Sequence, residues 1–402
     1  MGTPVTSTTS ELPVIPMRRA AGCPLAPPAE FESWRDEPGL RRATWNGQTV
    51  WSVSRYQDIR AALVDPRLSA QTLPDLATPS DDESAPVVFA RIDDPEHHRL
   101  RRMMTSQFTF RRCEAMRPQI QDLVDHYLNA MIETGPPAEI VRDFALPVPS
   151  LVIALLLGVP TEDLELFQHN TAAGLDVNST EEQRVRGFGE MYAYIQQLVA
   201  RKERDPGDDL ISRLLTDYVA TGQLTRDTVA VNAVIMMQAG HETTANMISL
   251  GTVALLENPD AFQTLGEADD NAVIGRVVEE LMRYLSIVHA QVDRIALEDL
   301  TLGGQLIRAG ERVLMNLPAG NWDTAFAADP EKFDIQRNVR GHLGFGYGTH
   351  QCIGANLARV EMQVAFSTLA RRLPGLRLAV PADELSFKDA DIYGMKTLPV
   401  TW

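Results

Sequence analysis

The 402-residue chain has only three cysteines, Cys23, Cys113 and Cys352, far apart and odd in number. That excludes a disulfide framework and any Cys-x-x-Cys metal pair, and it fits a reducing compartment. Long apolar runs are also missing. The longest, Leu151 to Val159, stops at Pro160 and is about half of the roughly 20 residues a membrane span needs. The amino terminus lacks the charged start and apolar core of a secretory signal. Met1-Gly2 and Thr6 fit a lipidation pattern only loosely, so residues 1–22 are expected to be a flexible polar tail. Positive charge is scarce: 37 Lys and Arg face 54 Asp and Glu, a net −17. Such a chain repels nucleic acid and anionic membranes on average. A cytoplasmic monomer is the expectation.

What the chain does have is a large apolar fraction, 44%, enough for a substantial core. Thr49 to Val53 alternates as a strand, and Tyr56 to Leu63 is helical up to Asp65-Pro66. Residues 69–92 show no periodicity and form the kind of long loop that usually carries function. From Glu96 helical patterns dominate, over Glu96–Gln107, Cys113–Thr134, Pro149–Leu157, Thr161–Ala172, Glu181–Asp205, Asp208–Thr221 and Thr225–Glu257. Short strand patterns come late, at Leu300–Leu302, Val313–Asn316 and Leu376–Val380. With no repeat or linker to divide it, the chain predicts one mainly α domain over residues 23–402, a helical bundle with small accessory sheets.

The most informative segment runs from His342 to Gly354. It packs four glycines around Cys352 and leads into an amphipathic stretch, Ala355 to Arg371. A cysteine on a glycine-rich loop at a helix N-terminus meets N–H groups and a macrodipole that favour its thiolate. On these residues alone, a structural cysteine in a tight turn fits equally well. Elsewhere, the helical pattern from Thr225 carries Ala239-Gly240-His241-Glu242-Thr243-Thr244, an acid beside two β-branched alcohols where helix packing disfavours them. A solvent-facing acid among ordinary threonines is the plain alternative there.

The full spacing Phe345-Gly346-x-Gly348-x-His350-x-Cys352-x-Gly354 resembles the haem-ligating loop of the cytochrome P-450 monooxygenases. The resemblance extends from about Cys23 to Trp402 and is strongest to soluble actinobacterial forms acting on macrolides, steroids and xenobiotics. It implies that Cys352 is the thiolate ligand of the iron of haem b, with Phe345, Gly346 and Gly354 around the sulfur. His97 and Arg101, in His97-His-Arg-Leu-Arg101, together with Arg294 and His350, are implied partners of the haem propionates. Glu242 and Thr243 match the oxygen-activating acid and alcohol, with Ala239 and Gly240 leaving room for O2. Glu280 and Arg283 match the family's structural pair, for which Arg337 is a candidate third partner. Asn321-Trp322-Asp323 departs from the Asn-Arg-Asp of many bacterial relatives.

No nucleotide-binding glycine fingerprint follows a strand, so the electrons of a monooxygenase must come from another protein. The resemblance implies a ferredoxin and its reductase. Arg99, Arg101, Arg102, Arg111, Arg112 and Arg117 locally reverse the chain's negative sign and form a candidate docking patch for an acidic ferredoxin. Relatives suggest a distal pocket drawn from Val87, Val88, Phe89, Met236, Met237, Val288, Ile392 and Tyr393, which would suit a medium to large, mostly apolar substrate. The implied reaction is hydroxylation of that substrate. A peroxide-driven enzyme or a haem sensor would have no need of the acid–alcohol pair.

Overall fold

A computed structural model describes residues 12–19, 23–72, 86–176 and 178–402. At its centre runs the helix Arg226–Leu256, 31 residues long and therefore about 47 Å from end to end. Thr225 caps its start by accepting the N–H of Thr228. Most of the helix is apolar on every side, so it can be stable only with neighbours all round. Pro147–Leu157, Leu164–Leu175, Glu181–Arg204 and Ala355–Arg372 supply them. The crossing with Pro147–Leu157 is close enough to need Gly240, where an added Cβ would stand 2.7 Å from Ile153 Cγ1. Close helix packing is thus a second reason for the small size of this residue, beside the room for oxygen expected of it.

The main sheet has six strands, in the spatial order Val14–Ile15, Arg41–Trp45, Gln48–Val53, Arg312–Met315, Asp293–Ala296 and Leu68–Ser69. Arg41–Trp45 and Gln48–Val53 pair antiparallel through an Asn46-Gly47 turn with φ of +47° and +72°, the primed geometry that matches strand twist. The next strand, Arg312–Met315, joins Gln48–Val53 in parallel and is antiparallel to Asp293–Ala296. The sheet thereby fixes Arg294 next to the buried Asp293, whose carboxylate takes Arg91 at 2.9 Å and Arg312 at 2.6 Å.

Part of the expected tail is anchored. Val14–Ile15 pairs with Thr44–Trp45. Arg19 is buried, donating to His289 Nε2 at 3.0 Å and to the carbonyls of Leu25 and Leu285, with its guanidinium 4.2 Å from the Tyr393 ring centre. Backbone pairing and a satisfied buried cation tie this segment to the domain. The remainder of residues 1–22 lies outside the described residues, as do 73–85 of the expected loop.

Candidate active site

Cys352 sits on a loop closed by its own N–H, which donates to the Phe345 carbonyl at 2.9 Å. Gly348 (φ +76°) allows the tight return. A Cβ there would lie 2.8 Å from the Leu63 carbonyl oxygen, so no larger residue fits without moving backbone. The sulfur opens on a cavity of about 370 Å³. Enclosure by the walls raises the thiol pKa, opposed by the Gly354 N–H and the charges of Arg101 and Arg359. The helix end contributes a single N–H to the sulfur, which does not outweigh the enclosure. Metal coordination would reverse this outcome by deprotonating the thiol outright.

Along one edge of the same cavity stand Arg101, Arg294 and His350, with Arg91 beside them. Arg101 donates to the Gln351 carbonyl at 2.5 Å. His350 stacks on His97 with ring centres 3.9 Å apart. Burial, then Arg294, His97 and Arg101, push the His350 pKa down to about 3. Burial also lowers His97, whose Nε2 is buried without a partner among the described residues. This edge is crowded with donors, and an anion there would relieve their mutual repulsion.

On the central helix, Ala239, Gly240, Thr243 and Thr244 line the cavity and Glu242 does not. Thr243 Oγ1 donates to the Ala239 carbonyl at 2.6 Å, leaving its lone pairs available to accept. Glu242 is buried and turned toward Lys388 Nζ at 2.5 Å and Asn246 Nδ2 at 3.1 Å. Burial alone would raise its pKa, but Lys388, His241 and Asn246 outweigh that and hold it below the usual value. Sequence reasoning misses Lys388 because 146 residues separate it from Glu242.

Behind the loop, Arg283 is fully buried and forks onto both oxygens of Glu280 at 2.8 Å. It also donates to the carbonyls of Pro330 at 2.9 Å, Lys332 at 3.2 Å and Asn321 at 3.3 Å. The segment leading into the cysteine loop is thereby stapled to the helix Asn271–Leu285. Arg337 Nε lies 3.6 Å from Glu280, an ionic contact rather than a hydrogen bond. In place of a further arginine, Trp322 donates its indole N–H to the Tyr284 carbonyl at 2.8 Å.

Of the eight expected pocket residues, Phe89, Met236 and Val288 line the cavity. Met237 does not: the lining stripe of the helix runs along Met236, Gly240, Thr243 and Met247, and Met237 lies about 100° round the helix from it. Ile392 is engaged in a bridge to Val288, and Tyr393 stacks with His289 and Phe387. Val87 and Val88 stand outside the lining. Ile153, Met247, Ile287 and Leu357 are among the residues that extend the apolar wall, and none of these four carries a local sequence signal. The buried Glu361 joins them, its carboxyl pushed well above the usual range by burial and its Oε2 unpartnered among the described residues.

The residues fit haem. One thiol faces the cavity, donors for two carboxylates gather along one edge, and the walls between are apolar. Among the described residues no cluster of three or more His, Cys, Asp or Glu could hold a bare ion, so a metal at Cys352 needs ligands of its own, as a porphyrin provides.

Comparison with known proteins agrees. The family model described as Cytochrome P450 matches residues 178–374. Cytochrome P450 GfsF of Streptomyces halstedii is 44% identical over 409 residues, spanning 98% of this chain and 97% of its own. The vitamin D3 dihydroxylase of Streptomyces griseolus is 40% identical over 409 residues, spanning 100% and 99%. The crystal structure of the mycinamicin VIII C21 methyl hydroxylase MycCI from Micromonospora griseorubida, bound to mycinamicin VIII, has a TM-score of 0.89 at 37% identity. That match covers 97% of this chain and 100% of the other.

Proposed function

The chain belongs to the cytochrome P450 family of haem b monooxygenases, and on that footing we propose that it hydroxylates a bulky, mostly apolar small molecule of macrolide or sterol kind. The observation that carries this reading is the apolar wall of Phe89, Ile153, Met236, Met247 and Val288 sharing one cavity with Cys352 and Thr243. Similarity to a macrolide hydroxylase and a vitamin D3 dihydroxylase supports the size class. Bound through Cys352, haem supplies activation of O2 and insertion of one oxygen atom into a C–H bond, the other leaving as water with two electrons and two protons.

The chain's own residues hold, orient and deliver protons. Arg101, Arg294, His350 and His97 would take the two haem carboxylates through charge-assisted hydrogen bonds. Thr243 would accept a hydrogen bond at the oxygen site while donating to Ala239. Lys388 is partly exposed and Glu242 buried, so the pair links solvent to the turn that bears Thr243. We assign proton delivery to that link.

The electrons are assigned to a ferredoxin and its reductase in the cytoplasm, delivered to a monomer. Two observations bear on this reading. No described helix is long and apolar enough to cross a membrane. In the basic cluster, Arg99 and Arg117 are occupied by Glu96 and Glu114 and Arg112 leans on Asp208. Arg102 and Arg111, exposed and without an ion pair among the described residues, are left as the docking charges.

Titration of the ferric holoenzyme with macrolides, sterols and single-ring aromatics tests the substrate class. Macrolides or sterols should displace iron-bound water, seen as a low- to high-spin shift, and yield a product one oxygen atom heavier when ferredoxin, reductase and NADPH are added. A shift and product confined to single-ring compounds would contradict the assignment.

A further inference from the structure

Glu279 precedes the Glu280 of the buried pair and looks like an ordinary surface acid. In the fold it gathers two residues from either side of the cysteine. Arg359, in the second turn of the helix Ala355–Arg372, forks onto it with Nε to Oε1 at 2.6 Å and Nη2 to Oε2 at 3.0 Å. His342, at the start of the loop, lies with Nε2 2.9 Å from Glu279 Oε2. Its Nδ1 accepts the Gly344 N–H at 3.0 Å, so the ring proton sits on Nε2 and points at the carboxylate. The Arg359 guanidinium lies 4.5 Å from the Phe345 ring centre, and the Phe345 carbonyl takes the Cys352 N–H.

Three separated pieces of chain therefore meet at one carboxylate, and the cation they hold lies over Phe345, whose carbonyl takes the Cys352 N–H. We propose that Glu279 and His342 are positioning residues that hold Arg359 on Phe345, and that the Arg359 charge raises the reduction potential of the metal ligated by Cys352. The inference rests on the reading that Cys352 ligates haem iron. Burial works to raise the Glu279 pKa, but the hydrogen bonds from His342 and Arg359 prevail and bring it down to about 2, so the anchor stays ionised. Arg359 acts on Cys352 in the direction that favours negative charge there.

The reduced centre carries one more negative charge than the oxidised one, so a nearby cation favours reduction. A structural staple alone would change stability without moving the potential.

The test is the ferric–ferrous midpoint of haem-loaded Arg359→Leu, Arg359→Gln and Arg359→Lys, measured by spectroelectrochemistry. The neutral variants should become harder to reduce by about tenfold in the one-electron equilibrium, about 59 mV more negative. Arg359→Lys, which keeps the charge but not the fork or the stacking, should lose less than half of that. If Arg359→Leu does not load haem, Arg359→Gln decides, since its amide still reaches Glu279. A Gln variant with the wild-type midpoint and an intact thiolate-type carbon monoxide band would overturn the inference and leave the haem–thiolate reading standing. A wild-type protein without that band would overturn both.

Discussion

Cys352→Ser should bring monooxygenase turnover below about one part in a thousand of wild type, a loss of at least about 4 kcal/mol of transition-state stabilisation. Serine is nearly the same size, and the loop is closed by the backbone N–H at this position rather than by the sulfur. Folding and helical content should therefore stay as in wild type, measured by circular dichroism, while product formation with saturating ferredoxin and reductase disappears. The hydroxyl is a poorer ligand and gives much less electron density to the metal than a thiolate. Turnover within tenfold of wild type would place the reacting centre elsewhere.

Arg283→Ala should produce the largest loss of stability. An exposed i,i+3 Glu–Arg pair contributes a few tenths of a kcal/mol, but here both side chains are fully buried. Removing the arginine leaves the buried Glu280 carboxylate with only the Asp334 N–H and the 3.6 Å contact of Arg337, and it strips a partner from the carbonyls of Asn321, Pro330 and Lys332. Breaking a buried pair from one side costs about 3–5 kcal/mol, read as a lower urea midpoint of the holoenzyme together with weaker haem retention. Arg283→Lys should recover little, because one ammonium cannot serve both carboxylate oxygens and three carbonyls. A loss under about 1 kcal/mol, the range of exposed pairs, would mean the network carries no structural weight.

Chemistry concentrated in a short stretch of chain is legible from the amino acids alone. The loop from Phe345 to Gly354 declares its glycines, histidine and cysteine in ten consecutive residues, and the cavity gathers most of them. The long helical patterns are equally plain, since burial on all sides leaves a sustained apolar signal at Arg226–Leu256. Partners distant in sequence are not legible. Glu279 lies 63 residues from His342 and 80 from Arg359, and nothing local distinguishes it from a solvated acid. Helix phase limits the pocket residues: Met236 and Met237 look alike in sequence, yet only one reaches the cavity. The strand Arg41–Trp45 was within reach, because Asn46-Gly47 before an alternating segment is a strong hairpin signal. The anchoring of Val14–Ile15 was not, since two residues on a sheet edge carry no period.

Binding of haem iron by the Cys352 sulfur as a thiolate is tested most directly by the absorption spectrum of the dithionite-reduced wild-type protein under carbon monoxide. Thiolate ligation predicts a strongly red-shifted Soret band in the wild-type protein, absent in Cys352→Ser. A blue-shifted band of neutral-ligand type in the intact protein, the same with and without the cysteine, would contradict it.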